Sequence, residues 1–151
     1  MIAITLLGVP WALFALVNRQ IQRETLPSKF KLGWFYAEGS CGGFRAYAFG
    51  LSEWSAKEIT QQGIAYFADI DVSDHAAVRK MYHGEWKATP LPSSFFGDGL
   101  ASILHCGEKG SLLWPTGVTE ALKRSGSYYQ QSGMRVLFVL PQPGLVVGVL
   151  D

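Results

Sequence analysis

Charge is scarce in this chain. Lys, Arg, Asp and Glu make up 17 % of its 151 residues and leave a net charge of +1, against the ~25 % usual for soluble domains. No basic cluster lies in the part expected to fold. Phosphate recognition needs a concentrated basic footprint, so no nucleic-acid partner is expected. Cysteine is confined to Cys41 and Cys106, which lack a Cys-x-x-Cys spacing and so do not define a zinc site. Neither a P-loop nor a dinucleotide fingerprint occurs, and no cofactor is expected. Internal repeats and low-complexity tracts are also absent.

What is present is apolar. Hydrophobic residues reach 48 % and aromatics 13 %, with a mean hydropathy of +0.14. The first seventeen residues, MIAITLLGVPWALFALV, carry no charge, and Thr5 is their only polar side chain. A helix apolar on every side must be buried in protein or in lipid. Seventeen helical residues span roughly 25 Å, slightly short of a ~30 Å hydrocarbon core. Spanning helices tolerate a residue such as Pro10 better than soluble ones do. The alternative is a soluble strand over Ala3–Leu7 followed by a helix with Pro10 in its first position. A cleaved leader fits less well, because no basic residue precedes the run and no small-x-small site follows it. The segment is read as an uncleaved transmembrane helix within residues 1–24, contacting lipid through residues 2–17. Arg19, Arg23, Lys29 and Lys31 follow it against Glu24 alone, which places the remainder on the cytoplasmic side. A periplasmic or extracellular placement is the alternative.

Residues 25–32 read as a linker and 33–151 as one globular α+β domain, long enough for a core of its own. Leu32–Ala37 and Phe44–Leu51, separated by the turn-forming Glu38–Gly43, predict a hairpin. Ser52–Ile70 predicts a helix, with Ser52 and Ser55 as capping candidates and Gly63 explained by a close packing contact. Ser73–His83 predicts a second helix, and Glu85–Phe96 an extended connector. Leu100–Cys106 fits either strand or helix. Gly107–Gly110 predicts a turn, Ser111–Pro115 a short strand, and Val118–Arg124 a helix capped by Thr116 or Thr119. Arg135–Leu140 and Leu145–Leu150 are apolar at almost every position around PQPG. That pattern predicts a central hairpin covered on both faces. The fold class is therefore α+β, a mostly antiparallel sheet packed against two or three helices behind an N-terminal membrane helix.

Three constellations carry candidate chemistry. GSCGG, Gly39–Gly43, resembles the nucleophile loop of chymotrypsin-like cysteine proteases over five residues, which implies a hydrolase or transferase using Cys41 with His105 or His83 as base. The sequence departs from that pattern in having no His before Cys41. Asp69, Asp71 and Asp74 with His75 offer oxygen and nitrogen ligands but lack the Gly and terminal Glu of a calcium loop. Helix-end capping explains them more simply, so no metal is expected. Trp34, Tyr36, Trp54, Trp86 and Trp114 are candidate binding residues, since aromatics are enriched at interfaces; Tyr128 and Tyr129 share that character. If the domain is exported, Cys41 and Cys106 are expected to form a disulfide in a ligand-binding domain. The reading these observations favour is a non-catalytic binding or accessory subunit of a membrane protein complex.

Overall fold

A computed structural model describes residues 13, 16, 17, 19–68, 70, 84–97 and 99–151, with the side chains of residues 41, 97, 100, 101 and 106 excepted. Among the described residues six strands form one sheet: β1 (Leu32–Cys41), β2 (Phe44–Leu51), β3 (Trp86–Ala88), β4 (Tyr128–Ser132), β5 (Arg135–Leu140) and β6 (Leu145–Leu150). Their spatial order is β1-β2-β6-β5-β4-β3, and every neighbouring pair is antiparallel. The expected α+β class with an antiparallel sheet is observed.

The predicted β5–β6 hairpin forms around Pro141–Gly144, with Leu140 opposite Leu145. Its unbroken apolar pattern follows from burial on both faces. Val136, Phe138, Leu140, Leu145, Val147 and Val149 belong to one core. Leu137, Val139 and Val146 belong to the other. Burying a side chain of this size contributes roughly 1.5–3 kcal/mol.

The first core is covered by three helices: α2 (Ser93–Gly97), α3 (Leu100–Gly110) and α4 (Val118–Leu122). Leu100–Cys106 is thus helical, and α3 runs on through the turn expected at Gly107–Gly110. Gly107 stands inside the helix because a Cβ there would lie 2.6 Å from the Trp114 indole. Ser111–Pro115, expected as a strand, is a turn that drops Trp114 into this core. Gly117, not Thr116 or Thr119, occupies the N-cap of α4, with φ 82°.

The second core is covered by α1 (Glu53–Gln62), by a 3₁₀ helix at Gly63–Phe67, and by Leu26 and Phe30. Ser52 caps α1, its hydroxyl accepting from the Ser55 backbone N–H at 3.2 Å. The helix expected to reach Ile70 tightens at Gly63, whose φ of 60° explains the glycine as a conformational requirement. The nearest atom to a Cβ there, the Tyr128 hydroxyl at 3.5 Å, is an ordinary contact and not the close packing expected. Residues 25–30, expected as part of a linker, contribute Thr25, Leu26 and Phe30 to the buried set. Lys29 and Tyr66 clasp one another: Lys29 Nζ donates to the Tyr66 carbonyl at 2.6 Å, and the Tyr66 hydroxyl donates to the Lys29 carbonyl at 3.1 Å.

The connector 85–96 contains the short edge strand β3. Beside it, the buried Thr89 hydroxyl donates to Ser127 O at 3.1 Å and accepts from Ser127 N–H at 3.0 Å. The helix expected over Ser73–His83 lies outside the described residues, as does most of residues 1–18. Leu13, Leu16, Val17 and residues 19–24 are helical. No helix among the described residues is long and apolar enough to cross a membrane.

Candidate functional site

The Gly-rich string has a structural explanation. Cys41 pairs with Phe44 across the β1–β2 hairpin, so the turn is Gly42-Gly43 alone and not the six residues expected. Their φ values are 60° and 87°. A two-residue type I′ turn requires positive φ at both central positions, and glycine supplies it without steric cost. Gly39 meets the end of α3 in ordinary contact, its Cα 3.5 Å from the Cβ position of Gly110.

His105 is exposed on α3, and its Nδ1 lies 3.4 Å from Glu108 Oε2, one turn along the same helix. The side chains of Cys41 and Cys106, together with His83, Asp69, Asp71, Asp74 and His75, lie outside the described residues. Among the described residues no three His, Cys, Asp or Glu side chains gather as metal ligands.

The five candidate aromatics do not share one surface. Trp114 is only 7 % exposed, in the core beneath α3. Trp86 stacks on Phe67 at 4.3 Å and meets Phe30 edge-on at 6.0 Å, which makes it packing material of the second core. Trp34 (76 %), Tyr36 (40 %) and Trp54 (51 %) stand out into solvent.

Two irregularities in β1 put the first two there. Leu32 pairs with Leu51 and Phe35 with Phe49, so Gly33 and Trp34 together face the single residue Gly50. Ala37 then pairs with Ala48, which leaves Tyr36 inserted without an opposite residue. Such bulges locally disrupt the ladder and re-aim side chains. Gly50 is the matching small residue, since its Cβ position lies 3.4 Å from the Tyr36 ring.

At this end of the hairpin stand three cations that sequence reasoning treated only as flanking charge. Arg23 Nη2 donates to the Leu32 carbonyl at 2.7 Å. The Arg19 guanidinium lies 4.9 Å from the Phe35 ring centre, and Lys31 Nζ lies 4.1 Å from that of Trp54. A groove of about 240 Å³ runs between the N-terminal helix and β1, lined by Leu16, Arg19, Arg23, Trp34, Phe35 and Phe49 among others. A second depression of about 360 Å³ lies between α2, α3 and the β4–β5 turn. None of its described lining residues is titratable, so they supply no acid or base. A third, more open depression of about 450 Å³ lies between the 3₁₀ helix and β3, with Glu85 as a lone titratable group among its described lining. The N-terminal rim, built of cations and aromatic faces without a nucleophile among its described side chains, is the candidate site. Comparison with known protein families, with curated proteins and with solved structures finds no match to this chain.

Proposed function

We propose that this protein is a single-pass membrane-anchored domain that acts as a non-catalytic binding or accessory subunit of a membrane complex. One observation carries the reading. Leu13, Leu16, Val17 and Ile21 are helical and each more than half exposed, and they continue the apolar run of residues 2–12 off a domain whose sheet is already covered on both faces. Exposed apolar surface of this kind marks contact with lipid or with a partner. The flanking Arg19, Arg23, Lys29 and Lys31 favour a domain on the cytoplasmic side. Partner contact has its own support in the loop after α3, where Leu112 is fully exposed and Leu113 is 70 % exposed.

Carbonate extraction of native membranes, followed by sizing in mild detergent, tests both halves. The full-length chain is expected in the extracted membrane and in an assembly larger than a monomer. Replacing Leu112 and Leu113 with Ser is expected to shrink the assembly while leaving the chain in the membrane. A full-length chain that stays monomeric and clear without detergent would overturn the proposal. Thiol labelling in intact and lysed cells reports the side.

A further inference from the structure

We infer that the rim formed by Arg19, Arg23, Lys31, Trp34 and Trp54 is a headgroup site for anionic phospholipid, which seats the domain against the membrane surface where its N-terminal helix enters. This inference rests on the anchor reading above. Its support is the company the three cations keep. Arg19 and Lys31 lie over aromatic rings, and Arg23 is held by a backbone carbonyl. Among the described residues no carboxylate lies within ion-pair distance of any of them. The nearest acid in sequence, Glu24, is engaged by Gln20 Nε2 at 2.9 Å.

A guanidinium stacked on a ring keeps its edge N–H groups directed outward, where phosphate oxygens accept them in pairs. Tryptophan beside such cations suits the membrane–water boundary, with an apolar body and one polar N–H. Leu16 lines the same groove as Arg19, Arg23 and Trp34, so the charged rim and the apolar helix form one continuous surface. An acidic protein would find the charge but would leave Leu13, Leu16 and Val17 uncovered. An anionic bilayer covers both. A surface cation near such a bilayer gains attraction of about fivefold, so three give a bias of about a hundredfold toward the seated state. The bias weakens with added salt, because screening sets in beyond about 8 Å at physiological ionic strength.

The test uses the full chain labelled with 5-fluorotryptophan in lipid nanodiscs, each of the five resonances assigned by Trp→Phe replacement. A headgroup spin label is expected to broaden Trp34 and Trp54, and to spare Trp114, in discs containing phosphatidylglycerol. The broadening should fall away in pure phosphatidylcholine, in high salt and in the triple variant R19Q/R23Q/K31Q. Unchanged Trp86 and Trp114 shifts show that this variant is folded. Equal broadening of Trp34 and Trp54 in both lipids, or in the variant and wild type, overturns the headgroup site. A mid-bilayer spin label reports on Trp11 separately. A sharp Trp11 resonance overturns the anchor, and a broadened Trp11 beside sharp Trp34 and Trp54 overturns the headgroup site alone.

Discussion

Gly148 lies in the centre of the sheet, opposite Tyr47 on β2 and Leu137 on β5. All three strands meet there because the Tyr47 ring occupies the space a side chain at 148 would fill. A Cβ at that position would come within 2.6 Å of Tyr47 Cε1, and nearer still to the ring carbon bearing the hydroxyl. Real Cβ contacts are never that close, so one partner must move. Tyr47 has no exposed surface and its ring packs edge-on against Phe49 at 5.8 Å, so the ring cannot swing out.

The substitution Gly148→Ala is therefore expected to destabilise. Overpacking a tight core costs about 1–3 kcal/mol. The lower entropy of an unfolded Ala offsets about 0.4–1 kcal/mol. A net loss of about 1–2 kcal/mol lowers Tm by roughly 2–8 °C in a chain of this size. Thermal unfolding followed by circular dichroism measures it. The decisive arm is a double-mutant cycle with Tyr47→Leu, which is itself costly but opens the space. If the steric account holds, the double variant loses less than the two single losses added, by about 1–3 kcal/mol. Strict additivity, or a Gly148→Ala protein as stable as wild type, would refute it.

Three further outcomes are expected. Thr89→Val keeps the shape of a buried side chain but removes the two hydroxyl hydrogen bonds to Ser127; the Ser127 carbonyl keeps the Thr89 N–H, and denaturant unfolding should show a loss of about 1–3 kcal/mol for the orphaned Ser127 N–H. Trp114→Ala should cost about 3–5 kcal/mol as a core truncation, whereas Trp34→Ala, at 76 % exposure, should stay within about 0.5 kcal/mol of wild type in the same titration. Burial raises the Tyr66 phenol above its ordinary value of 10.0, so the folded protein holds that proton more tightly than the unfolded chain does. The associated stability is complete below pH 10.0 and is lost as pH rises through the folded value. Tyr66→Phe should flatten that alkaline decline, and an unchanged pH profile would contradict the assignment.

The elements legible in the sequence were those governed by neighbours along the chain. Arg135–Leu140 and Leu145–Leu150 announced a doubly covered hairpin because apolar continuity and a PQPG turn are both local signals. The start of α1 was legible to within one turn, because Ser52 and Ser55 both carry a capping signal and the structure uses Ser52. What stayed hidden depended on partners distant in sequence. Gly107 and Gly110 read as a turn because glycine weakens a helix by about 1 kcal/mol. The indole of Trp114, which makes glycine fit at Gly107, arrives only with the fold. Strand β4, YYQQS, carries two glutamines and turns at Gly133-Met134, without the Asn-Gly or Asp-Gly pair that marks a hairpin. Of the five aromatics proposed as binding residues, Trp34, Tyr36 and Trp54 are exposed and Trp114 is buried, while Trp86 is partly buried against the second core. Nothing in composition separates the two sets, because register and not residue type decides which ring meets a core. Arg19, Arg23 and Lys31 read only as the charged flank of the apolar run, since their partners, Phe35, the Leu32 carbonyl and Trp54, are met only in the fold.

The bulges in β1 bear on how that rim works. As an edge strand of ten residues, β1 is of the kind that invites pairing with another chain. Two irregularities within its first half break the regular spacing of its outward N–H and C=O groups, so a partner strand meets a disrupted ladder at the point where Trp34 and Tyr36 protrude. The same insertion that spoils the edge for backbone pairing is what delivers those two rings to solvent. On the proposed reading, recognition at this end of the molecule falls to side chains, to aromatic faces and the cations beside them, and not to strand addition. The proposed headgroup site needs those rings at the end of β1 nearest the N-terminal helix, which is where both bulges lie, while the other end, from Ala37 to Cys41, keeps an unshifted ladder against Ala48 to Phe44.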